Sequence, residues 1–117
     1  MSKDPITISV ANDFSRFPGG RYRTDGPYSA EAFRDDLLVP ALQQGGEVRV
    51  VLKGAVGYPA TFLEEAFGGL VRVHGLDCAN LKLISHNPFL QAQIVGYITD
   101  AQRAKGTSVT QLPAAPE

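Results

Sequence analysis

Apolar and polar residues alternate through Ile6-Thr7-Ile8-Ser9-Val10, the period of two expected of a strand with one buried face, and predict an edge strand. From Ser15 to Pro27 the pattern dissolves into glycines, prolines, arginines and aromatics, a stretch that breaks regular structure and predicts a substantial loop or a β-hairpin. A helical period then takes over. Ser29 can cap a helix in which Phe33, Leu37, Leu38 and Ala41 share one face. Pro40 is expected to kink or end that helix, because proline lacks the amide hydrogen and clashes with the turn before it.

Glu47 to Leu52, rich in β-branched residues and bounded by glycines, predicts a central strand. Past the turn at residues 54–59, Thr61 opens a second helix with Leu63, Ala66, Phe67, Leu70 and Val71 as its apolar stripe, ending near Gly75. Leu81 to Ser85 forms a third strand. Asn87 then caps a helix with Pro88 at its first position, where a missing donor costs nothing. Leu90, Ile94, Tyr97, Ile98 and Ala101 carry the helical repeat, and Gly106 is expected to stop it. This alternation makes an α/β domain with a mixed or parallel sheet, right-handed crossovers and about three helices packed on it. Residues 1–106 form that domain, and the Pro- and Ala-containing tail 107–117, with little to bury, is expected to be loose.

Composition narrows the function. The 117 residues, 44% hydrophobic, suffice for one core. A formal net charge of -1 provides no field to gather phosphate backbones or anionic lipid, so neither nucleic acid nor membrane is an expected partner. No apolar run approaches the ~18 residues of a membrane span and the start lacks a signal-peptide stretch, which makes the cytoplasm the expected location. Cys78 is the one cysteine, so neither an internal disulfide nor a zinc-binding cysteine pair can form.

Several residues invite a chemical reading. Thr61-x-x-Glu64 has the spacing of a capping box. Glu64 and Glu65, adjacent on a helix, diverge by about 100° and cannot act together on one substrate proton, and Glu65 is expected to face solvent. His74 and His86 have no ligand partner at helical spacing; the dipole at a helix end accounts for His74 and the strand-to-helix turn for His86. Cys78 reads as a buried spectator. Gly68-Gly69 inside a helix costs roughly 1 kcal/mol per glycine, which implies that another backbone packs closely there. Arg16, Arg21 and Arg23, interleaved with Phe14, Phe17 and Tyr22, form the most distinctive exposed group. They offer a loop for phosphate, nucleic acid or protein, against the simpler alternative of a twisted hairpin with solvated arginines. No catalytic constellation, metal site or cofactor motif emerges.

The stretch from Val50 to Arg72, Val-Val-Leu-Lys-Gly-Ala-Val-Gly-Tyr-Pro-Ala-Thr-Phe-Leu-Glu-Glu-Ala-Phe-Gly-Gly-Leu-Val-Arg, resembles the strand-turn-helix centre of STAS-like domains of unknown function. Gly20-Arg21-Tyr22 and Phe33-Arg34-Asp35-Asp36-Leu37-Leu38 resemble segments that precede this motif in similar chains, so the resemblance runs from Ile6 to about Arg103. Those bacterial domains look like distant relatives of anti-sigma-factor antagonists. In the antagonists a serine at the start of the helix after the central strand is phosphorylated by a histidine-kinase-like ATPase, and Thr61 stands at the matching position. The resemblance thus implies a non-enzymatic signalling module with a protein partner, such an ATPase among the candidates, and a docking surface of Tyr58, Thr61, Glu64 and Glu65. A homodimer is left open. The alternative is a small ligand-binding or enzymatic domain using the loop of Arg16, Arg21, Tyr22 and Arg23 together with the turn at residues 57–61.

Overall fold

Strands β1 (Ile6–Ser9), β2 (Val48–Val51) and β3 (Leu81–Ile84) form a parallel sheet in the order β1-β2-β3, seen in a computed structural model that describes residues 4–105. Ile6 pairs with Val48 and Val48 with Leu81, so the apolar members of each strand fall in line. Ile8, Val48, Val50 and Leu81 are buried on one face, while Thr7, Arg49 and Lys82 lie exposed on the other. The helices therefore cover a single face of the sheet. Helix α2 (residues 60–72) runs between α1 (residues 30–43) and α3 (Pro88–Ala104), packing against both.

Local signals explain most boundaries. Ser29 caps α1 by accepting the Ala32 amide at 3.2 Å, and Asn87 caps α3 by accepting the amides of Phe89 and Leu90. Gly75, at φ +65°, ends the turn that closes α2: its amide bonds to the Val71 carbonyl and that of Leu76 to the Leu70 carbonyl, so the chain turns back on the last helical carbonyls. Leu76 packs back on the core. Phe33 stands at the centre of an aromatic cluster, with ring centroids 5.1 Å from Phe14, 6.0 Å from Phe62 and 6.4 Å from Phe67.

Two alternatives left open by the sequence are resolved and one expectation is corrected. Pro40 does not end α1, which continues to Gln43. The turn before it, Arg34–Leu38, widens to π-helical geometry, with the Val39 amide bonded to the Arg34 carbonyl, and this loosening accommodates the proline ring. Residues 15–28 form a loop and not a hairpin, because their backbone groups serve α1. The carbonyls of Gly20 and Arg21 accept the amides of Ala30 and Glu31 at 2.9 and 3.1 Å, and Arg23–Asp25 forms a single 3-10 turn. Helix α2 starts at Ala60 with Pro59 as its cap residue, and no side chain caps it. The helix end near Gly106 and the tail 107–117 lie outside the described residues.

At the outer edge, Ile6 uses its amide to bond Glu47 of β2, so alternation turns the amides of Thr7 and Ser9 outward. The Ser9 amide is taken at 2.7 Å by Asp13, within a π-helical turn, Val10–Phe14, that directly follows the strand.

Candidate functional site

The residues singled out at the start of α2 are drawn together by arginines from three different segments. Arg21 of the loop donates through Nη1 to Glu64 Oε1 at 2.8 Å and to Glu65 Oε1 at 3.0 Å. Arg72, two turns along α2, donates to Glu64 Oε2 at 2.6 Å and Glu65 Oε1 at 3.1 Å. Arg34 of α1 donates to Glu65 Oε2 at 2.7 Å and to the Glu65 carbonyl. Two expectations fail together here. Glu65 is buried at 4% exposure instead of facing solvent, and Glu64 does not reach back to cap the helix because both its oxygens are held by arginines. Adjacent helical carboxylates do diverge at their Cα atoms, but their long side chains converge on shared guanidinium groups.

This network sets the electrostatics. Burial pushes the Glu64 carboxyl up, but hydrogen bonds from Arg21 and Arg72 outweigh it and hold the group below its usual value. Arg21 is raised in turn, first by its bond to Glu64 and then by that to Glu65. Asp35 is also lowered: burial works against it, and hydrogen bonds from Arg34 and His74 prevail. His74, explained from sequence by the helix dipole, lies 2.8 Å from Asp35. Arg34 thereby joins a chain of polar contacts running from Arg21 through Glu65 and Asp35 to His74.

The glycine pair now has a cause. A β-carbon on Gly69 would lie 2.4 Å from Arg34 Nη1, so this glycine makes room for a buried guanidinium. One on Gly68 would lie 3.2 Å from Glu64 Oε2 and 3.4 Å from both Arg72 Nη1 and the Tyr97 carbonyl of α3, so side chains of its own helix crowd this position more than a neighbouring backbone does.

The arginine-rich loop is committed to the fold more than its composition suggests. Arg23 forms a two-pronged bond with Asp36, at 2.8 and 3.1 Å, and Arg21 is tied to α2. Tyr22 is exposed, and the Arg16 side chain reaches the Gly54 carbonyl at 3.5 Å. Thr61, the second residue of α2, is exposed, and its hydroxyl makes no hydrogen bond among the described residues. Tyr58 is half-buried, its hydroxyl donating to the Leu52 carbonyl at 2.6 Å, and burial pushes its pKa up to about 12. Cys78 is fully buried, and burial, with Asp77 adding to it, lifts its thiol to about 12.

Near Thr61, Phe17 of the arginine-rich loop meets the turn before α2 beside Val56, a residue not singled out from the sequence. Phe17 and Val56 are 67% and 69% exposed and flank an open hollow of about 430 Å³ floored by Pro18, Tyr58 and Pro59. The one sequence signal for Val56 was an apolar residue in a loop otherwise made of turn formers. A second hollow, about 380 Å³, lies on the other side of Tyr58, where β2 and β3 end, with Lys53, Ser85 and His86 on its wall. Among the described residues no cluster of three His, Cys, Asp or Glu side chains offers a metal site, and no helix is long and apolar enough to cross a membrane.

Neither the curated proteins nor the solved structures contain a match to the chain. The family model of the STAS-like domain of unknown function, DUF4325, matches residues 29–88, from the cap of α1 to the first residue of α3. That match takes in β2, β3 and all of α2, just over half of the 117 residues, and the chain belongs to this STAS-like family.

Proposed function

We propose that the chain is a non-enzymatic bacterial signalling module that works in the cytoplasm by protein-protein contact, docking through the start of α2 and the turn before it. Phosphorylation of Thr61 switches that contact, and a histidine-kinase-like ATPase is the partner that performs it. The observation carrying this reading is the state of Thr61: exposed, its hydroxyl unbonded, at the first turn of a helix whose start no side chain caps. A phosphoryl group there adds about 1.5 to 2 negative charges next to unpaired helix amides. The neighbouring acids do not oppose it as bare charges, since Glu64 and Glu65 are matched by Arg21, Arg34 and Arg72. Residues three and four positions along a helix share a face with the first, so Glu64 and Glu65, the partners of Arg21, lie on the face of α2 that carries Thr61.

The test is incubation of the purified chain with a purified ATPase of that class and ATP. Intact mass should rise by one phosphate in the wild type and not in Thr61→Ala, and the complex should change in affinity on modification. Absence of both binding and modification across such ATPases would overturn the reading, and binding without modification would remove the switch.

A further inference from the structure

Tyr58 separates the two hollows and, anchored by its bond to the Leu52 carbonyl, acts as a fixed wall common to both. Together, on either side of Tyr58, they make a furrow of two halves, the second of which lies at the carboxyl ends of β2 and β3. Its halves differ in chemistry. The first is apolar, with Phe17 and Val56 standing out at its lips, and solvent exposure of such side chains side by side is characteristic of contact surfaces. The second carries Lys53 and His86, and among the described residues no carboxylate lines either half. That one-sidedness is notable in a chain with 12 acidic and 11 basic residues. Arg16 adds a further cation at the rim, its carbonyl accepting the Val56 amide at 2.7 Å and its side chain reaching Gly54.

We propose that this furrow seats an acidic segment of a partner protein. An aliphatic or aromatic side chain enters between Phe17 and Val56, and a neighbouring carboxylate lies against Lys53. The inference rests on the docking reading above and supplies the chemistry of the occupant. It also gives the phosphoryl group a task, because Pro59 floors the first hollow and Thr61 lies two residues on. Negative charge placed there repels an acidic occupant.

The experiment is a selection of random dodecamer peptides on the immobilised full-length chain, followed by fluorescence anisotropy of the enriched peptides. Selected peptides should combine one large apolar residue with at least two Asp or Glu. Val56→Asp should weaken them at least about tenfold, as expected when a charge is buried in an apolar contact. Lys53→Glu should weaken them roughly fivefold, less at high salt, as expected for an exposed charge pair that becomes repulsive. Both variants should keep the wild-type circular dichroism and melting temperature. No enrichment, or binding indifferent to Val56→Asp, overturns the seat. Apolar peptides without acids, lost in Val56→Asp but indifferent to Lys53→Glu, overturn the acidic occupant and leave the docking surface standing. Failure of the ATPase assay alongside successful selection would count against the phosphorylation switch and in favour of an unswitched seat.

Discussion

Arg34 crosses α2 directly above Gly69 to reach the Glu65 carboxylate at 2.7 Å, both charged side chains being buried. The pair fastens α1 to α2, and the guanidinium has room to cross because position 69 has no side chain. Arg34 is further tied to Asp35 at 2.7 Å, so its charge is matched twice. Truncating one partner removes a buried charged hydrogen bond but leaves the other still paired, Arg34 to Asp35 and Glu65 to Arg21 and Arg72. Arg34→Met and Glu65→Leu should each cost about 1 to 3 kcal/mol in urea unfolding, and the double variant less than the sum of the two.

Gly69→Ala tests the same crossing from the other side. Alanine is the better helix former by roughly 1 kcal/mol, so propensity alone predicts a gain. The methyl group would overlap Arg34 Nη1 and press on its Cδ at 3.1 Å, and the guanidinium cannot retreat without losing Glu65. A net loss of about 1 to 3 kcal/mol is expected. Thermal denaturation beside Arg34→Met/Gly69→Ala, in which the clash is gone, separates the two effects.

The paired acids set an acid limit. Glu64, Asp35 and Asp36 all have folded-state values below their ordinary 4.5, 3.8 and 3.8, so each binds its proton more readily in the unfolded chain. Their contribution is complete above those unfolded values and is lost as the pH falls through the lowered folded ones. Stability should be level above about pH 5 and fall below pH 4.5. Removing the bond that depresses Glu64, by Arg21→Gln, should move the acid-unfolding midpoint to higher pH, read by circular dichroism across a pH series.

Cys78 should be chemically silent in the folded chain. Its thiol is buried and held near 12, so almost no thiolate exists at neutral pH. Reaction with a thiol-specific disulfide reagent should follow the unfolding rate, becoming immediate in denaturant.

Thr99 on α3 is buried, and its Oγ1 has no hydrogen-bond partner among the described residues. Valine has the same shape without the unsatisfied group, so Thr99→Val should leave stability unchanged or raise it by up to about 1 kcal/mol, measured by urea unfolding.

What could be read from the sequence followed from local chemistry. Ile94, Ile98 and Ala101 declare their burial by helical spacing, Ser29 and Asn87 their caps by side-chain type, and Val48 and Val50 their central place by being β-branched in a short run. The failures at the site required a partner distant in the chain, whereas the accommodation of Pro40 was a local change of helical geometry. Glu65 looks solvent-facing until Arg34 arrives from another helix, and Glu64 looks like a cap until Arg21 and Arg72 claim it. The hint was present in Gly69, one turn past Glu65, together with an arginine set between Phe33 and Leu37 in an otherwise apolar face. For the furrow the hint was weaker still, because Phe17, Lys53, Val56 and His86 come from three separate connections and meet only once the strands are in register.

The bond from the Ser9 amide to Asp13 bears on how the chain behaves in a crowd. An outer strand with free amides is a template on which identical chains can add, strand upon strand, into insoluble fibres. Here the last outward amide of β1 is already occupied by a carboxylate, and the turn that supplies it folds the chain away from the growing edge. A visiting strand would have to evict a charged side chain to gain one backbone bond. The protein thereby gives up strand addition at that end of β1 as a mode of recruitment, and gains the freedom to accumulate without polymerising there.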